Sequence, residues 1–221
     1  MDLKEAIQKR RSIRAFHSKP VPNTVLMRIM EQALWTPSWG NTQPWGFTIV
    51  GGRALELIKE ECLELSQQGV KDHPDLTMPF DWDEVQTARY KGLGKALFQA
   101  LEIGRGDREK RNAYYRDMTF CFGALQMIYL HLKKGFNSYA LLDAGLILQT
   151  IALLAVDEGL GTCFLARSVI FPEVIRKHAG IEPERVIVMG MTIGYPIDDH
   201  PANRFPRKRG RPEEFIRWAD G

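Results

Sequence analysis

Cysteine is scarce. Cys62, Cys121 and Cys163 are odd in number and far apart in a chain of 221 residues. That excludes a disulfide scaffold and a paired-thiolate zinc site, and it points to a reducing compartment. The five histidines show no ligand spacing, and no base accompanies Cys163, so metal and thiol catalysis are not expected. Charge of one sign is lacking as well. Thirty basic residues against 27 acidic ones leave a net charge of only +3, which offers no whole-molecule attraction to nucleic acid or an anionic membrane. The opening MDLKEAIQKRR has acids and no apolar segment, so no secretory leader is expected. The longest apolar run, Leu141 to Val156, contains Asp143 and Gln149 and falls short of the ~20 residues of a membrane span. There is no phosphate-binding P-loop, and GLGKALF lacks the strand–turn–helix frame of a dinucleotide fingerprint. With no internal repeat and no linker, these absences describe one soluble, cytoplasmic α+β domain over residues 1–221.

Local patterns supply the elements. Asp2 followed by Glu5 reads as a capping box that starts a helix ending near Arg10 or Arg11, after which Ile13, Ala15 and Phe16 alternate as an extended segment. Val25, Leu26, Ile29, Met30, Ala33 and Leu34 mark a second helix, stopped near Thr36-Pro37. PSWGNTQP reads as a loop and WGFTIV as a strand, residues 53–68 as a helix, and 69–83 as an irregular excursion. The stretch 85–134 reads as mostly helical. SYALLDAGLILQTIALLAV is a helix apolar nearly all round, which predicts burial by its own sheet on one side and a partner subunit on the other. GTCFLA and RVIVMGMTIGYP read as buried strands.

Against this balanced background two basic clusters stand out. One is KRRSIRAF, with Arg10, Arg11 and Arg14 around Ser12, anchored by Ile13 and Phe16; the other is the tail RFPRKRGR, with Arg207 and Arg209. A solvated face or a nucleic-acid arm fits the tail taken alone. The apolar context of the first cluster favours a buried anion, because guanidinium forks grip a phosphate bidentately and a serine hydroxyl adds a donor. Two clusters from opposite ends of the chain would close around one phosphate.

RRSIRAF with PVP behind it, TPSWGNTQPWGFTIV, DEGLGTCFLA, IGYP and NRFPRKRGRPEEF, in that order, resemble the FMN-dependent nitroreductase family over nearly the whole chain. The resemblance is weakest from about 69 to 120. It implies a central, mostly antiparallel sheet flanked by helices, in a homodimer with a buried central helix and FMN at the subunit interface. In that picture Arg10, Arg11, Ser12, Arg207 and Arg209 meet the phosphate. Asn41 meets the flavin's pyrimidine edge, with Arg14 near its N1 and O2, and Pro37, Ser38 and Gln43 join the cofactor-binding set. The backbone N–H groups of Leu165 and Ala166 face N5. Trp39 stands where the family usually has a small residue, and Phe164 where proline is common.

The chemistry agrees: a flavin is a flat ring with amide donors and acceptors along one edge, and an asparagine side chain offers both. The implied activity is hydride transfer from NADH or NADPH through FMN to a small nitroaromatic or quinone acceptor, with no catalytic side chain and no nucleic-acid or membrane partner. Reductive dehalogenation, enone reduction, flavin-consuming chemistry and FMN binding without turnover remain open at this stage.

Overall fold

In the computed structural model, which describes residues 1–219, four extended segments form one antiparallel sheet. They are β1 (Trp45–Gly51), β2 (Gln126–Lys133), β3 (Gly161–Phe164) and β4 (Arg185–Gly194), ordered β1-β2-β4-β3. The inner strands are apolar on both faces because helices cover both. Met127, Tyr129 and Ile187 point into one core layer, and Ile128, Leu130, Leu132, Met191 and Ile193 into the other. This corrects the expectation of helix through residue 134. A strand buried on both faces has no period of two, so QMIYLHLK is indistinguishable by pattern from a buried helical turn.

The helices are α1 (Leu3–Lys9), α2 (Asn23–Ala33), α3 (Gly52–Gln67), α4 (Glu84–Ala100), α5 (Arg108–Thr119), α6 (Ser138–Asp157), α7 (Pro172–Ala179) and the single turn α8 (Pro201–Arg204). α2 and α6 pack on one face of the sheet, and α3, α5 and α7 on the other. α7 was not assigned from the sequence, although its signals are present: Pro172 at the first helical position, and Gly180 just past the end at φ 67°.

Two sequence expectations change at the helices. The Asp2 side chain makes no capping bond; Glu5 pairs instead with Lys9 at 2.6 Å, and the Met1 ammonium bonds the Asp157 carboxylate at 2.5 Å, tying α1 to the end of α6. α6, at 20 residues, is long and apolar enough to cross a membrane by length and composition. It is nonetheless a core element, with Ala140, Ala144, Ile147, Ile151 and Ala155 forming an inward stripe over the sheet. Within one chain the sheet, α1 and α2 cover its inner side. Leu142 and Leu146 on its outer face remain 64% and 48% exposed.

After α1 the chain extends. Ser12 bridges Thr162 in parallel and Phe16 bridges Pro196, so the segment adds itself to the free edge of β3. The approach is close because Gly161 has no side chain: a Cβ there would stand 2.4 Å from Ile13 Cγ1 and 3.1 Å from Ile13 Cβ. Gly161→Ala is therefore expected to push this segment off the sheet and cost about 1–3 kcal/mol, the usual range for overpacking. The measurement is urea unfolding, with a lower midpoint at an unchanged slope. An unshifted midpoint would contradict the packing described.

Candidate functional site

The edge segment carries Arg10, Arg11, Ser12 and Arg14, all half-buried, and the chain's tail returns alongside it. Asn203 sets that return. Its Oδ1 accepts the Arg14 N–H at 2.6 Å, and its Nδ2 donates to Ala15 O and Ile197 O, each at 2.9 Å. Phe205 follows as a platform, with the guanidinium carbons of Arg11 and Arg14 5.6 and 5.9 Å from its ring centroid. Arg11 Nη2 also donates to Phe205 O at 2.5 Å, and Arg14 Nη1 to Ser12 O at 3.2 Å.

Arg207 donates to Gln8 O at 2.6 Å and to Arg10 O, so its fork caps the last carbonyls of α1. The direct anion contact expected from the sequence is thus replaced, for these two nitrogens, by backbone contacts that hold Arg207 against Arg10. Arg209 stays exposed and, among the described residues, donates only to Lys208 O, at 2.9 Å.

The electrostatics of this cluster are unbalanced. Among the described residues no carboxylate lies within salt-bridge distance of Arg10, Arg11, Arg14, Arg207 or Arg209. Burial, then the positive charges of Arg207 and Arg209, push the Arg10 guanidinium below its usual range. Burial, then Arg207 and Arg14, do the same to Arg11, and burial, then Arg209, to Arg207. Arg11 Nε is buried without a hydrogen-bond partner. Donors held together against their own repulsion, one of them unsatisfied, fit a phosphate dianion.

The loop 37–43 is built separately. Trp39 N–H donates to both oxygens of Asp143, at 3.1 and 3.2 Å, and Asp143 is a buried acid on the inward side of α6. Ser38 Oγ accepts the Gln43 N–H at 2.9 Å, and Gln43 Nε2 donates to Asn41 Oδ1 at 3.3 Å. Gly40, Asn41 and Gln43 all take positive φ, at 55°, 55° and 47°. Asparagine visits that region readily and glutamine does not, so the tethers from Asp143 and Ser38 hold a strained turn. The turn projects Pro37, Asn41 and Gln43 into solvent.

The structure does not bring the two parts together. Trp45, which follows the loop, pairs through Leu132 to the level of Val186 on β4, whereas Ser12 pairs through Thr162 to the level of Ile193. Those levels are seven residues apart along β4, at about 3.4 Å each. The loop and the edge segment also lie four strand spacings apart, at about 4.8 Å each. The separation is thus roughly 30 Å.

At the end of β3, the Leu165 N–H is bound to Gly190 O at 2.8 Å and is not free for a ligand, contrary to expectation. Ala166 opens a 3-10 turn (Ala166–Val169), where the first N–H groups have no acceptor within the turn. Sequence reasoning missed Asn203, Phe205 and Asp143. Asp143 had a signal as the one acid within the apolar run Leu141 to Val156, and Asn203 and Phe205 lie in the NRFP stretch that carries the resemblance.

A cluster of this kind is stabilised by any anion that binds it in the folded state alone. Inorganic phosphate is expected to raise the Tm of the ligand-free protein above its value in chloride at equal ionic strength, with a gain of about 2.7 kcal/mol at a hundred times Kd. Arg10→Ala should lose most of that shift. Equal shifts in both proteins would remove the cluster as an anion site.

Comparison with known proteins places this arrangement. The sequence pattern of the nitroreductase family matches residues 7–195. A 4-nitrobenzoate reductase from Nocardioides sp. is 29% identical over 199 residues, covering 88% of this chain and 81% of that protein. Among solved structures, the FMN and NADPH-dependent nitroreductase NfnB from Sphigopyxis sp. strain HMH superposes with a TM-score of 0.95 at 31% identity, covering 99% of both chains. NfnB from Mycobacterium smegmatis, solved in complex with NADPH, superposes at 0.91 and 26% identity, over 99% of this chain and 100% of that one. The family pattern spans both the edge segment with Arg10, Arg11 and Arg14 and the asparagine turn tethered to α6, and the chain belongs to the nitroreductase family.

Proposed function

We propose that the protein is an FMN-dependent oxidoreductase of the cytoplasm that uses NADH or NADPH to reduce nitroaromatic or quinone acceptors, as a single-domain homodimer with FMN at the subunit interface. The observation that carries this reading is the carboxylate-free guanidinium cluster on the β3 edge, in a chain otherwise nearly balanced in charge. The three buried free thiols suit a reducing compartment.

The residues fit a mononucleotide in two parts. Arg10, Ser12 and Arg209 would hold the phosphate, with Arg11 Nε as a further donor and Arg207 fixing Arg10 from behind. Arg14 would stand beside the ring's pyrimidine edge, where a cation stabilises added negative charge. The Ala166 N–H would face the ring from the end of β3. Pro37, Ser38, Asn41 and Gln43 belong to the same site but sit roughly 30 Å away in their own chain, farther than a mononucleotide extends. A second copy would therefore supply the loop, and the exposed outer face of α6 with Leu142 and Leu146, together with Trp39 of the loop beside it, is the surface such a copy would cover. When bound, FMN supplies a ring that accepts hydride from a nicotinamide donor and passes it to the acceptor. The chain's own residues bind, orient and polarise; none is assigned acid or base work.

Three measurements test this. The purified protein should carry a flavin spectrum that bleaches with NADH or NADPH and recovers on adding a nitroaromatic; a colourless protein that takes up no FMN would refute the reading. Arg14→Met, with flavin bound, should lower the two-electron midpoint potential, on a scale where ~30 mV corresponds to ~1.4 kcal/mol. The shared site has its own signature. Arg10→Ala and Asn41→Leu chains, each weak in FMN binding as homodimers, should regain close to half of the wild-type FMN capacity in the mixed dimer isolated after co-expression, because that dimer holds one intact site of two. No recovery in an isolated mixed dimer would place both residues at one chain's site.

A further inference from the structure

We propose that the cavity between α4 and α5 selects aromatic acceptors that carry a carboxylate, with Lys91, Lys95, Arg105 and Arg111 as the cations that read it. The inference rests on the reading above, that the chain reduces aromatic acceptors, and it names which of them.

The cavity is large, about 1100 Å³, and it adjoins the guanidinium cluster, since Arg14 lines both. Four further cations line it: Lys91 and Lys95 from α4, Arg105 from the connection and Arg111 from α5. Among the described residues no aspartate or glutamate lines it. In a protein with 27 acids to 30 bases, such segregation of sign is local. Of the acids around these helices, Asp107 caps α5 and pairs with Lys110, and Asp117 lines a neighbouring cavity of about 410 Å³. None of the four cations has a carboxylate within salt-bridge distance among the described residues.

The walls are suited to a ring. Tyr90, Phe98, Tyr114 and Tyr115 line the cavity, and Phe98 meets Tyr114 edge-on at 5.3 Å between centroids. On the α4 side, Gly92 and Gly94 line the space, and a Cβ on either would meet nothing within 4 Å. Two glycines inside a helix each cost about 1 kcal/mol relative to alanine, and here they leave the space beside α4 free of two side chains. Arg111 is already oriented: Nε donates to Gly104 O at 3.2 Å, and its guanidinium carbon lies 5.2 Å from the Phe98 ring centroid. Its two terminal nitrogens are left for an anion beside that ring. Apolar slot and unpaired cations together describe an aromatic carboxylate.

The carboxylate takes no part in the redox step. In net terms the nitro group of the acceptor receives two electrons, as hydride from NAD(P)H, and two protons counting the one taken from solvent. One N–O bond breaks, water leaves, and a nitroso compound and NAD(P)+ remain.

The experiment compares 4-nitrobenzoate with nitrobenzene on the FMN-loaded enzyme at low salt. The acid is expected to have a kcat/KM about tenfold higher or more, as for one good charged hydrogen bond. The preference should shrink toward unity at 1 M NaCl, where screening acts within ~3 Å. The Lys91→Gln/Lys95→Gln double variant should lower the acid-to-neutral ratio severalfold. Benzoate, which cannot be reduced, should bind measurably tighter than benzamide by calorimetry, and that difference should shrink in the same variant. A ratio at or below one, or a ratio the variant does not move, overturns the proposal. So does a variant that alters only the NADPH-to-NADH ratio, since the cations would then read a phosphate of the donor. Failure to reduce nitrobenzene, 4-nitrobenzoate and a quinone alike would count against the proposed activity instead, while the benzoate titration still decides the cavity.

Discussion

The site depends on holding like charges together at one edge of the sheet without neutralising them. Two cations 4 Å apart repel by about 4 kcal/mol at the effective dielectric of a protein surface. Carboxylates would offset that repulsion, but they would also cancel the field an anion needs. The chain offsets it with neutral partners. Arg207 is held by the carbonyls of Gln8 and Arg10, Arg11 by the carbonyl of Phe205, and Arg14 by that of Ser12. The Phe205 ring lies beside two of these guanidinium groups. Carbonyl and ring contacts fix geometry while leaving the charge in place. Everything upstream serves that end: α1 stops at Lys9, the segment extends onto β3, and Asn203 closes the tail over it.

The site was legible wherever chemistry and sequence neighbourhood coincide. Arg10, Arg11, Ser12 and Arg14 are one short segment, so their common position followed from the residues, and Ile13 and Phe16 showed which side was buried. The loop around Asn41 was legible from its prolines and glycine. What sequence could not supply was distance. Leu165 was expected to offer its N–H to a ligand, but pairing with Gly190, 25 positions on, takes it. Arg207 was expected at the anion, but its fork reaches carbonyls at the other end of the chain. The fold shows the same division. Amphipathic α2 and α3 were readable from their period, whereas β2, buried on both faces, has no period to read. The apparent capping box at Asp2 failed because Lys9, one turn on, competes for Glu5.

The apolar helix α6 links the core to the asparagine turn. Its inward stripe fills one core layer, and the same stripe carries Asp143, the one acid in its apolar stretch. A buried carboxylate is costly unless it is hydrogen-bonded, and here its partner is the Trp39 N–H at the base of the strained asparagine turn. The turn's geometry is thus set from the core. The outer face of the same helix is apolar and uncovered within one chain. In the proposed dimer, one rigid element would both present the turn and form the contact that brings it to the partner's arginine cluster. A shift of α6 would then move recognition of the ring edge and the subunit contact together. That coupling gives a physical reason for a buried acid on this helix, where an apolar residue would pack as well and leave the turn unheld.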